Sequence, residues 1–428
     1  MMLDMEGPFS VAGLKDERRD SLCVICKGAK MLCGKTSCPI LVKYYYHIKT
    51  KPMIDDFKLD GSSPPSVFIG RMGYPRVYVG PLIPPISGDT SLLDMPESWL
   101  DKTIRDIVSF RSQLVRGKRL VDVHNVEGGG KIVDATRELA MCRNPVDSEA
   151  EFSKKPSGRL VLDDEVQPFG PSAPLKKFDV SSLKIDRKID RAYGDTDLKA
   201  AEAVIELHKT GVLVSQIQRS FSVGAFGLGK NRRFVPTRWS ITAVDDTVSK
   251  DLREKVKDFP LINEYRVYES WRLDNRFMVL QIPSSWCYEL IEAWYPNTVW
   301  NPRGRRIVVY SSHEGYEGRS KYAEIGGCYY AARLAVTEKL QKEKRQAATV
   351  ILREVHPGYI MPVGVWNVRE NVRNALRGEA MKFDTLKGVL DYVFSKLDIP
   401  RERWILNSKL LKDFLYQRRL EDFMKGGG

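Results

Sequence analysis

The segment C-V-I-C-K-G-A-K-M-L-C-G-K-T-S-C-P constrains this chain more than any other. It sets Cys23, Cys26, Cys33 and Cys38 at C-x2-C-x6-C-x4-C spacing. Two thiolates two residues apart grip one metal ion from a tight turn, and Gly28 and Gly34 relax the backbone where amides must face sulfur. Four sulfurs complete the tetrahedron of a zinc ion with no position left for water, so such a site is structural rather than catalytic. An iron–sulfur cluster uses the same four thiolates, although the short loops are closer to zinc knuckles. Disulfides are disfavoured in a reducing cytosol. Zinc is therefore the expected cofactor, in a module spanning 18–48. Lys27, Lys30, Lys35 and Lys43 around it suit a module resting on phosphates. Cys142, Cys287 and Cys328 stand apart and read as small buried apolar residues.

At 428 residues the chain exceeds one ordinary core. No apolar run approaches the ~18 residues of a membrane span, and the acidic start M-M-L-D-M-E lacks a signal pattern. A cytoplasmic protein without membrane contact is expected. The formal charge of +13 favours polyanionic partners, nucleic acid foremost.

Two β-rich runs within 66–85 flank a Gly/Pro turn and predict a hairpin. Helical spacing runs from Glu97 to Val115, with Gly117 as its stop. Residues 144–184, with five prolines among charges, read as a long connection. Helices are expected from Asp197 to His208 and over V-L-V-S-Q-I-Q-R-S-F, joined at Gly211; an ordinary helical hairpin is favoured over a DNA-reading pair. In G-L-G-K-N-R-R-F-V-P-T-R-W-S-I, Lys230, Arg232, Arg233 and Arg238 alternate with aromatics, including Trp239. Basic groups pair with phosphates while aromatic faces stack on bases, which makes these five nucleic-acid-binding candidates. The competing reading is a strand with one face buried. Residues 265–283 form two further β-rich runs around Leu273-Asp274-Asn275.

Toward the end, strand 305–312, helix 329–344 and strand 348–357 suggest a crossover joining parallel strands. His313 and His356 then lie at one sheet edge, with Gly326 and Gly327 opening the helix and Arg319 and Lys321 nearby. His313, Glu314, Glu317 and His356 around a divalent metal would make a hydrolytic site, although the spacing matches no catalytic signature.

Helical spacing continues over 401–416, and the last residues are Q-R-R-L-E-D-F-M-K-G-G-G. Gln417, Leu420, Phe423 and Met424 fit Q-x-x-h-x-x-a-h, which resembles the peptide that docks on the replication sliding clamp, PCNA. One helical turn would present Leu420, Phe423 and Met424 as an apolar plug while Gln417 enters a polar pocket. Burying three such side chains yields on the order of 5–8 kcal/mol gross, and ordering the tail removes several, leaving a contact of about micromolar strength. Met424 departs from the family preference for a second aromatic there.

Taken together, the four-cysteine segment, F-V-P-T-R-W-S-I-T-A-V-D, Y-A-E-I-G-G-C-Y-Y-A-A-R-L-A and Q-R-R-L-E-D-F-M resemble the archaeal Nre DNA-repair proteins, along nearly the whole chain. The resemblance implies a role in DNA damage repair in contact with PCNA, and brings no catalytic residues with it. The alternative is a metal-dependent enzyme acting on nucleic acid or a nucleotide, near His313 and His356. We expect a mixed α/β (α+β) chain: the zinc module at 18–48, a β-rich and helical region at 49–295, a βαβ-like region at 296–412, and a flexible clamp-binding tail at 413–428.

Overall fold

The computed structural model describes residues 25–157, 168–302 and 304–416. Their contacts divide into two compact units: 37–251 with 360–367, and 25–36 with 252–359 and 368–416. Each is built on a mixed six-stranded sheet, so the α+β class expected from the sequence holds.

In the first unit, α1 (Pro39–Ile54) precedes β1 (Lys58–Ser63), β2 (Val67–Ile69) and β3 (Arg76–Ile83). Then come α2 (Ile104–Gln113), β4 (Val115–Asp122), α3 (Lys131–Met141), β5 (Val146–Phe152) and β6 (Ser172–Val180). Helices α4 (Arg187–Gly194), α5 (Ala200–Lys209) and α6 (Val214–Ser222) follow, and α7 (Thr237–Lys257) begins in this unit and ends in the second. The sheet order is β1-β5-β6-β4-β3-β2, with only β4 and β6 parallel. Ile83, Val115, Phe152 and Phe178 pack with Leu139 of α3 into the main core on one face. A smaller cluster of Leu82, Leu93 and Leu114 covers part of the other.

The second unit holds β7 (Tyr265–Arg272), β8 (Asn275–Ile282), β9 (Tyr288–Trp294), β10 (Val308–Glu314), α8 (Gly327–Glu343) and β11 (Ala348–Val355). After α9 (Trp366–Arg377) come β12 (Met381–Phe383), α10 (Leu386–Lys396), α11 (Arg401–Asn407) and α12 (Lys409–Tyr416). Its order is β10-β9-β11-β8-β7-β12. Both faces of this sheet are covered. Along β8, Phe277 and Val279 join Tyr329, Ala332 and Val336 of α8, while Met278 and Leu280 join Val389, Trp404 and Leu411 of α10–α12. The period of two in the strand therefore feeds two cores.

The hairpins at 66–85 and 265–283 form as expected, as β2–β3 and β7–β8. So do the helices α5 and α6, with Gly211 at φ +81° between them. Four expectations are corrected. The region 144–184 contains β5 and β6 as antiparallel partners; V-D-S-E-A-E-F alternates buried and outward positions throughout, a strand signal hidden by its acids. Trp239 and Ile241 lie in helix α7, not in a strand, because Val244, Val248, Leu252 and Val256 recur every fourth residue and are all buried. The helix at Glu97–Val115 starts later, at Ile104, where Thr103 caps it through a reciprocal pair with Asp106. Gly117 does not stop it; Gly117 lies within β4, where a Cβ on the neighbouring Gly80 would meet the Gly117 carbonyl oxygen at 1.8 Å.

The last correction concerns the crossover. β10 runs antiparallel to β9, and β11 runs parallel to β9 on its other side. The strands joined by α8 are therefore antiparallel to each other, with β9 between them.

Candidate functional site

That topology separates the two histidines. His313 pairs with Glu289 near the start of β9, whereas Val355, just before His356, pairs with Trp294 at its end. At about 3.3 Å per residue, they stand at opposite edges of the sheet. His313 and Glu317 are exposed. Glu314 is fully buried and committed: Arg333 Nη1 lies 2.7 Å away, Arg253 Nη1 3.6 Å, and Trp286 Nε1 donates at 3.1 Å. Arg319 donates to Glu324 and to the carbonyls of His313, Lys321 and Tyr322, so its guanidinium is used in holding the loop before α8. The four-residue metal pocket expected from the sequence does not assemble.

His356 has a different set of neighbours. Its Nε2 lies 3.3 Å from Glu354 Oε2 and 4.0 Å from Asp398 Oδ2. These three are the group of His, Cys, Asp and Glu side chains among the described residues whose ligand atoms all lie within 4.8 Å of one another. The imidazole stacks between Tyr295 (4.6 Å, 25° between planes) and Trp271 (5.4 Å, 24°). Burial, with Glu354 and Asp398 adding to it, pushes the Tyr295 phenol up to about 12. The Arg276 guanidinium lies 3.8 Å from the Trp271 ring centre, and its Nη1 is 3.7 Å from Glu354 and 3.2 Å from Asp398. Glu354 also accepts the Ile399 amide at 2.9 Å.

A guanidinium so close to both carboxylates already supplies positive charge, which weakens the case for a cation. The set ties segment 396–399 to the end of β11. Sequence reading flagged His356 but missed Trp271, Tyr295, Arg276 and Asp398, which come from separate segments without a shared spacing.

The basic candidates in the first unit divide. Lys230, Arg233 and Arg238 are exposed. Arg232 is not available for phosphates: it donates to the carbonyls of Gly227, Tyr193 and Asp195. Trp239 is half-buried and packs against Tyr74 at 5.4 Å.

Of the cysteines, Cys23 lies outside the described residues. Cys26 is buried, Cys33 exposed and Cys38 intermediate, and these three do not form a ligand group within the same 4.8 Å limit. The local backbone carries left-handed glycines where the sequence reading placed them. Gly28 (φ +73°) and Gly34 (φ +70°) adopt the left-handed region. The Cys26 thiol is pulled below its ordinary range, chiefly by the Leu32 amide against some burial, with help from the amides of Gly28, Lys30 and Met31. Thiolate-directed amides of this kind fit a zinc ligand.

At the other end, α12 buries Leu410 and Leu411, and Tyr416, the last described residue, is 73% exposed. Gln417, Leu420, Phe423 and Met424 lie outside the described residues. Among those described, no helix is long and apolar enough to cross a membrane.

The molecule is thus an α+β protein with a basic surface in one unit and a clustered aromatic and carboxylate site in the other. It belongs to the archaeal Nre family: residues 32–301 match the N-terminal Nre model and 314–423 the C-terminal one. It is 41% identical over 404 residues to the DNA repair protein NreB of Archaeoglobus fulgidus, covering 94% of this chain and 100% of that protein. It is 37% identical over 369 residues to the DNA repair protein NreA of the same organism (86% of this chain, 92% of NreA). For the NreA of Haloferax volcanii the identity is 36% over 359 residues (80% and 85%). No solved structure is significantly similar to the chain.

Proposed function

We propose that this chain is a DNA damage repair factor that works in the cytoplasm, approaches DNA through basic surfaces and grips the sliding clamp PCNA through Gln417, Leu420, Phe423 and Met424. The observation that carries the repair reading is the 36–41% identity to relatives named DNA repair proteins, extending over most of each chain. The clamp reading is supported by the way α12 ends. Its apolar side chains Leu410 and Leu411 are used up in the core, and Tyr416 is turned out to water immediately before the motif. Zinc bound by Cys23, Cys26, Cys33 and Cys38 stabilises the amino-terminal segment in this proposal.

The test is a titration of the intact protein against its cognate clamp, comparing wild type with Phe423→Ala. Micromolar binding by wild type and a loss of at least about tenfold in the variant are expected; equal binding by both would remove the clamp from the proposal. The enzyme alternative draws no support from His313, which is remote from His356, and the Glu354–His356–Asp398 group is better accounted for by its ion pairs with Arg276.

A further inference from the structure

The two faces of the first unit's sheet differ. Val77, Val79 and Val121 turn inward and are buried. Their neighbours in the strand turn the other way, and the antiparallel register sets Tyr78 beside Leu120 and Leu82 beside Arg116. Leu82 is covered by Leu93 and Leu114. Beyond that cover the face is open: Tyr78 is 46% exposed and Leu120 44%. Phe169, likewise exposed, borders the same strip.

The charges on this strip are unusual. Arg116 has its guanidinium carbon 4.0 Å from the ring centre of Phe169 and 5.4 Å from that of Phe68. Its Nε is buried without a hydrogen-bond partner, and no carboxylate pairs with it among the described residues. Lys118 Nζ sits 5.6 Å from the Tyr78 ring centre. Lys118, Arg71 and Arg76 likewise have no ion-pair partner among the described residues. Burial without a counter-charge lowers the Arg116 pKa to about 10, and burial together with Arg116 lowers that of Lys118. Elsewhere the arginines of this chain commonly hold carboxylates, as in Arg353–Glu292 and Arg373–Glu338. At the end of the strip, the β2–β3 turn leaves Met72 exposed and brings Tyr74 against Trp239.

Leaving a partly desolvated guanidinium unpaired costs free energy that a bound anion would return. A strip that interleaves such cations with open aromatic faces matches one kind of polyanion. Double-stranded DNA offers phosphates but keeps its base faces stacked within the helix; a single strand offers both.

We propose that the open face of β3 and β4 is a binding platform for single-stranded DNA, with Tyr78 and Phe169 stacking on bases and Arg116 and Lys118 meeting phosphates. This rests on the reading that the chain acts on DNA and gives that reading a surface and a strand state. It also moves the main contact away from the loop at Lys230 and Arg233.

The experiment is fluorescence anisotropy of the full chain with a labelled oligo-dT of about 20 nucleotides, the matching oligo-rU and a duplex of the same length. Tyr78→Ala should weaken oligo-dT binding about tenfold or more at an unchanged melting temperature, with Tyr78→Phe restoring it. Lys118→Ala should reduce the magnitude of the slope of log K against log salt by about one. Equal affinity of wild type and a Tyr78→Ala/Phe169→Ala double variant overturns the platform, as does tighter binding of oligo-rU or of the duplex than of oligo-dT. Neither result touches the clamp titration, so the repair reading stands or falls separately.

Discussion

Ser408 donates its hydroxyl to the buried carboxylate of Glu289, 119 residues earlier in the chain, at 2.5 Å. The same carboxylate accepts the amides of Lys409 and Leu410, each at 2.9 Å, and Ser408 Oγ in turn accepts the Leu411 amide at 2.9 Å. The first orphan amides of α12 are thus satisfied by a side chain from strand β9 and by the serine at the break after α11. A single helix was expected over 401–416. The break arises because the chain must turn at Ser408 to meet Glu289.

Glutamine at 289 can match only part of this pattern, since in either orientation its NH2 faces a donor. Glu289→Gln should cost about 1–3 kcal/mol, read by urea unfolding, with faster hydrogen exchange at Lys409–Leu411. Burial raises the Glu289 pKa even though the Ser408 hydroxyl and the two amides pull it down. A folded pKa above the unfolded value of about 4.3 means that the native state holds the proton more tightly. Wild-type stability from this group therefore falls as pH rises through that window. The deficit of the Gln variant should be largest in acid and narrow toward neutrality; a deficit that widens instead would contradict the burial argument.

Arg333 and Glu314 form an ion pair with neither side chain exposed. Arg333→Met should destabilise the second unit by about 1.5–3 kcal/mol, because it leaves the buried carboxylate only Arg253, 3.6 Å away, as a counter-charge. Adding Glu314→Leu should recover part of that loss, since Arg253 keeps Glu254 as a partner. Denaturant midpoints of the two variants provide the check, and a double variant less stable than the single one would refute it.

The cysteine segment predicts a metal content. Elemental analysis should find about one zinc per chain, and Cys26→Ser should lower it. Chelation should lower the melting temperature of wild type more than that of the variant. Visible absorbance from iron and sulfide in the purified protein would replace zinc with a cluster.

For the Glu354–His356–Asp398 group, the ion-pair reading expects Arg276→Ala to cost about 1–3 kcal/mol. It also expects Mn2+ to leave the melting temperature of wild type and of His356→Ala equally unchanged. A Mn2+-dependent rise that vanishes in His356→Ala would restore a metal site there.

At the clamp motif, Leu420→Ala and Phe423→Ala should each reduce clamp affinity by about tenfold or more with no change in unfolding midpoint. A fall in stability in either variant would mean that these side chains pack into the parent fold.

Local periodicity made much of the architecture legible. The hairpins, α5, α6, α8 and the strands flanking α8 could all be read, because each writes its buried face at a fixed interval. What failed was long-range. Nothing within 305–357 says that β9 will insert between β10 and β11, so the two histidines looked adjacent when they are a strand's length apart. Alternation in β5 was present but carried by Asp147, Glu149 and Glu151, which look like a solvated linker until β1 and β6 are in place beside them. The partners of His356 were invisible for the same reason. Trp271, Tyr295 and Asp398 meet it only after three separate segments have been folded together.

The grip of Glu289 on the start of α12 has a consequence for reach. In the proposed clamp complex, the peptide would begin directly after a helix whose first turn is pinned to β9, the strand next to the edge of its sheet. An attachment so close in sequence to the folded unit would keep local concentration high and restrict the angles at which the two bodies meet. Inserting a glycine-serine spacer after Tyr416 would loosen that geometry while leaving every contact of the peptide itself available.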